Sequence, residues 1–258
     1  MKLEVIKNRK SIRTYDGNGL SESELNKVNE LINNVDNPFK ETVKFKLLSC
    51  KDHDISSPVI VNEDYYLISI VKKDENYHLA LGYVFEDLVL KFEEMGLSTV
   101  ILGGTYKKEN FKIAAKINDD EDIVLVSPLG HKASKMSIRE TLMRNSIGAD
   151  KRIAFNELFF KDDFKHPLNE DSEFALCLNA VRYAPSAVNK QPWRIMINDM
   201  GAHFYKKGNK GYEAMQLIDM GIALRHFTIM CDLDGEIKYA KPDIDYDDLE
   251  YIISYCFK

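Results

Sequence analysis

The chain has 258 residues, 45% of them apolar, enough to bury a sizeable core in one large domain or two closely packed ones. Its 41 acidic and 35 basic residues give a net charge of -6 and a pI of about 5.6, which argues against a general nucleic-acid or anionic-membrane binder. Cys50, Cys177, Cys231 and Cys256 stand far apart, residues 1–10 lack an apolar signal core, and no run reaches the ~18 apolar residues of a membrane span, so a soluble cytoplasmic protein with reduced thiols is expected.

The first predicted element is a helix: Ser21, Glu22, Ser23 and Glu24 supply caps and carboxylates, Leu25, Val28, Leu31 and Ile32 form a stripe, and Asn33 and Asn34 end it. β-Branched and aromatic residues mark short strands over 43–49 and 65–71, with a hinge at 53–58. Leu81, Val84, Phe85, Leu88, Val89 and Phe92 recur with helical period, and Gly96 stands where a C-terminal cap belongs. A buried strand over 99–102 is expected to run into Gly103 and Gly104, where the backbone is free to approach another group closely or take positive φ. A further strand over 123–126 is followed by Pro128, Leu129 and Gly130. Residues 132–151 read as a polar connector or arm with weak helical character. A second helical run opens at Ser172, passes through Phe174, Leu178 and Val181, and must stop before Pro185, because proline disfavours α geometry in the residue ahead of it. Then come a hairpin of 195–197 with 203–205, a helix over 212–230 apolar nearly all round, and a closing strand over 251–257.

The order of elements recurs along the chain. Helix 24–34 corresponds to helix 173–184, helix 81–95 to helix 220–234, and strand 123–126 to strand 251–254, and Gly82 and Gly96 share the separation of Gly221 and Gly235. Such self-similarity indicates duplication, against the plainer reading that short amphipathic elements resemble one another by chance. The expected fold is an α+β sandwich with largely antiparallel sheets. Its two copies, residues 1–165 with the connector arm and a shorter 166–258, would pack as one unit in the manner of a dimer.

Two constellations carry chemistry. On an extended or loosely helical segment, Arg9, Ser11 and Arg13 can aim at one phosphate through two guanidinium contacts and a hydroxyl, although basic N-terminal runs are usually only solvated. The run from Arg182 to Trp193 is a helix end followed by a compact turn stiffened by Pro185 and Pro192. Ser186, Asn189 and Gln191 offer groups able to read the edge of a planar heterocycle; an ordinary proline-rich connector reads the same way by composition. His131, His203 and His226 lack metal-ligand spacing and are read as structural, with no metal site. Gly208, Asn209, Lys210 and Gly211 read as a surface turn, and the tyrosines at 65–66 and 246–255 as strand or core aromatics.

Both constellations resemble elements of the nitroreductase family. Arg9-Lys10-Ser11-Ile12-Arg13 is similar to its opening Arg-x-Ser-x-Arg/Lys element, and Ala184-Pro185-Ser186-Ala187-Val188-Asn189-Lys190-Gln191-Pro192-Trp193 to its Ala-Pro-Ser-x-x-Asn-x-Gln-Pro-Trp signature. Asp219-Met220-Gly221-Ile222-Ala223 resembles its central-helix start. Gly96-Leu97-Ser98-Thr99, Gly103-Gly104 and Pro128-Leu129-Gly130 are similar to three further elements, so the likeness spans most of the chain. It departs from the pattern in one respect: the phosphate element stands only in the first half and the Pro-Ser signature only in the second. The first half has Asp36-Asn37-Pro38-Phe39 where that signature belongs.

The resemblance is to a single-chain, internally duplicated TM nitroreductase, and it implies one FMN per chain, with the pseudo-symmetric twin site vacant and the chain acting as a monomer. Arg9, Lys10, Ser11 and Arg13 would hold the phosphate, joined by Lys151 or Arg152. Pro185, Ser186, Ala187 and Asn189 would lie along the ring and ribityl chain, Gln191 would support their turn, and Gly103 and Gly104 would approach the ring through backbone amides. The implied activity is hydride transfer from NADH or NADPH, by a ping-pong cycle, to a nitroaromatic, quinone or similar planar small-molecule acceptor, with the flavin and no catalytic side chain carrying the chemistry. A flavin-binding redox sensor or store without turnover is the competing reading, and a flavin-free interaction scaffold a third.

Overall fold

In the computed structural model, residues 2–208, 213–244, 246 and 248–258 are described. The elements in chain order are α1 (Lys2–Asn8), α2 (Glu22–Asn33), β1 (Val43–Ser49), β2 (Tyr65–Lys72), α3 (His78–Glu94), β3 (Ser98–Thr99), α4 (Lys108–Ala115), β4 (Glu121–Gly130), α5 (Ile138–Ser146) and α6 (Phe155–Leu158). There follow β5 (Phe159–Lys161), α7 (Ala175–Arg182), a 3-10 turn (Ala187–Asn189), β6 (Trp193–Asn198), β7 (Gly201–Lys207), α8 (Glu213–Met230), β8 (Gly235–Lys238) and β9 (Leu249–Phe257). Asn209, Lys210 and Gly211 of the expected surface turn, and Tyr212 at the expected helix start, lie outside the described residues. The fold is α+β, and every strand pair but one is antiparallel among the described residues.

The chain divides into two compact units, each discontinuous in sequence. The first comprises Asn8–Tyr77 and Asp87–Gly148 and is built on a sheet of order β1-β2-β4-β3. Its α2 begins as the sequence leads one to expect: the Ser21 hydroxyl and Glu24 carboxylate cap each other's backbone N–H groups in a capping box. Tyr66, Ile68, Ile123, Val126 and Phe111 of α4 fill the core, where the Tyr66 and Phe111 rings meet edge to face at 5.1 Å.

Two expectations in this unit need correction. The strand expected over 99–102 is confined to Ser98–Thr99, with a lone bridge from Leu102 to Val126. The Val100 N–H donates to the Ser127 hydroxyl at 3.3 Å rather than to a strand carbonyl, so the ladder breaks there. Within the 132–151 connector lies a regular helix, α5, capped by Ser137, whose hydroxyl accepts the Glu140 N–H at 3.1 Å.

The second unit comprises Met1–Lys7, His78–Glu86 and Ala149–Lys258 and carries a sheet of order β5-β6-β7-β9-β8, in which β5 runs parallel to β6. The α7 helix covers 175–182, shorter than the expected 173–184, because the chain at Phe174 leaves helical geometry at φ -88° and ψ 3°. Along α8 the side chains of Ile218, Met220, Ile222, Ala223, Leu224 and Phe227 are all buried, which accounts for its nearly unbroken apolar sequence. It crosses the first half of α3 with backbones in contact. A Cβ built on Gly82 would lie 2.0 Å from the Ile218 carbonyl oxygen, and one on Gly221 would lie 2.1 Å from that of Leu79. Gly235, paired with Gly96 in the repeat alignment, starts β8, whereas Gly96 follows a helix end at φ +77°.

Candidate functional site

In the first unit the segment from Ser11 to Tyr15 is extended and clamped from both sides. The Ile12 N–H donates to the Thr99 carbonyl at 3.0 Å, and the Val61 N–H donates to the Arg13 carbonyl at 2.9 Å. Ile12 enters the core at 5% exposure, so alternation turns Ser11 and Arg13 to the other side. Glu140, itself sealed from solvent, accepts the Arg13 N–H at 2.9 Å and the Thr14 hydroxyl at 2.7 Å. Burial holds the Arg13 guanidinium below its usual pKa; the Glu140 charge opposes this and the nearby Arg144 charge adds to it. The Arg13 Nε is buried without a hydrogen-bond partner. A cation so placed is suited to an anionic oxygen, which would satisfy the nitrogen and offset the charge of Arg144. Arg9 is buried along its length, and Lys10 is exposed. Gly103 and Gly104 are exposed; a Cβ on either would meet nothing within 4 Å, and Gly104 has φ +142°, which L side chains rarely adopt.

In the second unit the turn from Ser186 to Gln191 is tightly internally bonded. The Gln191 N–H donates to the Ser186 hydroxyl at 2.9 Å. The Gln191 amide, 3% exposed, accepts the Ile153 N–H at 3.0 Å and donates to the Lys151 carbonyl at 3.3 Å. Asn189 donates through its amide to the same carbonyl at 3.0 Å. Lys151 therefore meets the turn through its backbone, with an exposed side chain. Arg152 folds back on the Ala149 and Lys151 carbonyls at 2.9 and 2.8 Å and lies over the Tyr183 ring at 5.8 Å. Val188, Asn189 and Gln191 have φ of 45°, 57° and 48°. For the β-branched Val188 the left-handed region costs roughly 1–2 kcal/mol, strain of a kind that gathers at ligand-facing segments. Trp193, the only tryptophan, is fully buried directly after the turn.

Two residues that the sequence reading does not place in the site belong beside these groups. Arg144 extends Nη1 toward the Ser11 carbonyl at 3.5 Å; the Ser137-x-x-Glu140 capping pattern is the signal that would have revealed its helix. Asp219, read only as part of a helix-start motif, accepts the Ala187 N–H at 3.0 and 3.1 Å on its two carboxyl oxygens. Ser11 and Arg13 thus meet Glu140 and Arg144 in one unit, to which Arg9, Lys10, Gly103 and Gly104 also belong, and residues 151–152 and 185–191 lie with Asp219 in the other. Among the described residues no group of three or more His, Cys, Asp or Glu is arranged to hold a metal ion, and no helix is long and apolar enough to cross a membrane.

These arrangements can be set beside known proteins. The family model described as "Putative TM nitroreductase" matches residues 2–231. A solved structure from Thermotoga maritima MSB8, described as a putative nitroreductase, is similar at a TM-score of 0.64 with 18% identity, over 99% of this chain and 92% of that one. A nitroreductase family protein from Clostridium novyi NT matches at a TM-score of 0.43 and 21% identity, over 52% of this chain and 86% of its own. An FMN-dependent nitroreductase from Clostridium difficile R20291 matches at 0.42 and 14%, over 60% and 98%. No curated protein matches significantly. At this identity the Thermotoga likeness shows the fold, and the family match over most of the sequence shows the lineage: this chain belongs to the TM nitroreductase family.

Proposed function

We propose that this chain is an FMN-dependent oxidoreductase that takes hydride from NADH or NADPH and passes electrons to a nitroaromatic, quinone or similar planar acceptor. The observation that carries the reading is the turn at 186–191: a strained, heavily braced backbone bearing the sequence that resembles the family's flavin-contacting signature. FMN supplies the hydride chemistry when bound. For their part, Arg9, Ser11 and Arg13 hold the phosphate, and Arg144 adds positive charge beside them. Pro185, Ser186, Ala187 and Asn189 present the turn to the ring, and Gln191 keeps that turn closed. Gly103 and Gly104 offer backbone N–H groups with no side chain in the way.

Duplication is part of the same proposal. Apart from α4, which stands between β3 and β4, helix, two strands, helix and two strands follow in the same order in each half, and both sheets place the third of these strands outside the fourth, as β3 beside β4 and β8 beside β9. That agreement supports a chain that carries both repeats itself, binds one FMN and needs no second copy. The four free thiols suit a reducing, cytoplasmic compartment.

The test is the visible spectrum of protein incubated with FMN and desalted, followed by anaerobic NADH or NADPH. One FMN per chain that bleaches on nucleotide addition is expected. Two FMN per chain would refute the vacant twin, flavin that never bleaches would favour a sensor or store, and no flavin would leave the cofactor assignment without support.

A further inference from the structure

Strained turns persist only where their surroundings over-determine them, so what holds residues 186–191 matters to whatever they face. On one side the brace is Gln191, bonded to residues 151 and 153. On the other it is Asp219, whose two oxygens share the N–H of Ala187, the residue immediately before left-handed Val188 and Asn189. Asp219 is 2% exposed and sits on α8 two residues before Gly221. Because Gly82 and Gly221 bring the α3 and α8 backbones into contact, the helix carrying this carboxyl cannot slide without opening that crossing. A buried acid in mid-helix otherwise has no reason to be there: it makes the helix no more stable and it resists desolvation.

We propose that Asp219 is a positioning residue that sets the geometry of the flavin-facing turn by holding the Ala187 N–H, and so fixes where Ser186 and Asn189 point. The flavin-facing part of this rests on the function proposed above; the hold on the turn does not. Burial pushes the Asp219 carboxyl up to about 8, while the Ala187 N–H pulls it down. At neutral pH a neutral acceptor is therefore sufficient, and an amide is a faithful replacement.

Three proteins test this: wild type, Asp219→Asn and Asp219→Leu. The asparagine keeps an acceptor oxygen. Leucine keeps the branched shape without the acceptor, and the relief of the carboxyl's desolvation offsets the loss of one hydrogen bond. Amide hydrogen exchange of the segment 185–191 is measured without flavin, FMN affinity by titration, and global stability by thermal unfolding. Asp219→Asn should match wild type in exchange and FMN affinity and unfold at or above the wild-type temperature, since the amide stays neutral at every pH. Asp219→Leu should unfold near the wild-type temperature, yet exchange at 186–191 about ten-fold faster and bind FMN about ten-fold more weakly, the loss expected for one hydrogen bond to the turn. Its bound-flavin spectrum should also lose the resolved shoulders of a ring held in a fixed environment.

If the leucine variant does not fold, Asp219→Ala is read in the same way. Unchanged exchange in the acceptor-less variant overturns the hold on the turn, whether or not flavin binds. Faster exchange with unchanged FMN affinity overturns the link to the flavin site. A wild type that takes up no FMN overturns the functional reading itself, and the exchange result then decides the hold alone.

Discussion

The imidazole of His226 and the carboxyl of Glu86 meet at 2.7 Å, with both side chains shut away from solvent. The other ring nitrogen lies 2.8 Å from the Ala180 carbonyl and carries a hydrogen there, which leaves the second nitrogen to meet the carboxyl. The pair ties α8 to the first half of α3, while the contact with Ala180 ties it to α7.

Removing one member of a buried pair takes from the other the short bond between them. His226→Leu alone should lose about 3–5 kcal/mol of stability, while Glu86→Leu combined with His226→Leu should recover most of that loss. A double-mutant cycle by urea unfolding checks it. A double variant no more stable than the single one would show that the pair is not the source of the effect.

The glycines separate close approach from conformational need. Gly221→Ala drives a methyl group to within 2.1 Å of the Leu79 carbonyl oxygen and should cost about 3 kcal/mol or more. Gly96→Ala meets nothing within 4 Å and suffers only from its φ of +77°, a penalty of about 1 kcal/mol. Comparison of the two unfolding midpoints is decisive, since equal losses would contradict the tight crossing.

Two buried groups give stability opposite pH slopes. Burial raises the Asp219 pKa from 3.8 to about 8, so the folded chain holds a proton that the unfolded chain releases. This contribution is whole below 3.8 and is lost as pH rises through 8, and Asp219→Asn should flatten the alkaline limb. Burial lowers His203 from 6.5 to about 4, with its ring against Ser254 at 2.7 Å and Asn198 at 3.0 Å. Its contribution is whole above 6.5 and is lost as pH falls through 4, and His203→Gln should flatten the acid limb. Urea unfolding across the pH range reads both slopes.

Flavin affinity should depend on residues from both halves of the sequence. Arg13→Ala should weaken FMN binding by roughly 1.5–3 kcal/mol, the range for a hydrogen bond to a charged group. Asn189→Ala should also weaken it, because the amide ties the turn to the Lys151 carbonyl. An FMN titration in which either variant equals wild type would remove that residue from the site.

Local and periodic signals carried most of the fold. The caps of α2 and the stripe of Leu25, Val28 and Ile32 mark that helix without knowledge of any neighbour, and the strands at 43–49 and 195–197 announce themselves by β-branched and aromatic residues, the second reaching further, over Trp193–Asn198. The breaks were harder to read. Val100 is as apolar as Thr99 is strand-forming, yet the ladder ends between them because a side-chain hydroxyl from β4 takes the next N–H. The helix at 138–146 was obscured by a polar sequence whose two buried members, Glu140 and Arg144, are charged.

What the sequence by itself determined is the family, through the motif at residues 184–193, and the alternation of helices and strands, because caps, periodicity and turn residues act over a few positions. What only the tertiary structure decided is which polar groups work on which. Nothing near Asp219 in sequence indicates that its carboxyl is buried against Ala187, and nothing near Glu140 indicates that it receives Arg13 and Thr14. A helical carboxylate read from sequence is solvated by default. Its burial depends on a close crossing made possible by glycines at 82 and 221, in one case, and on an extended segment more than a hundred residues away, in the other.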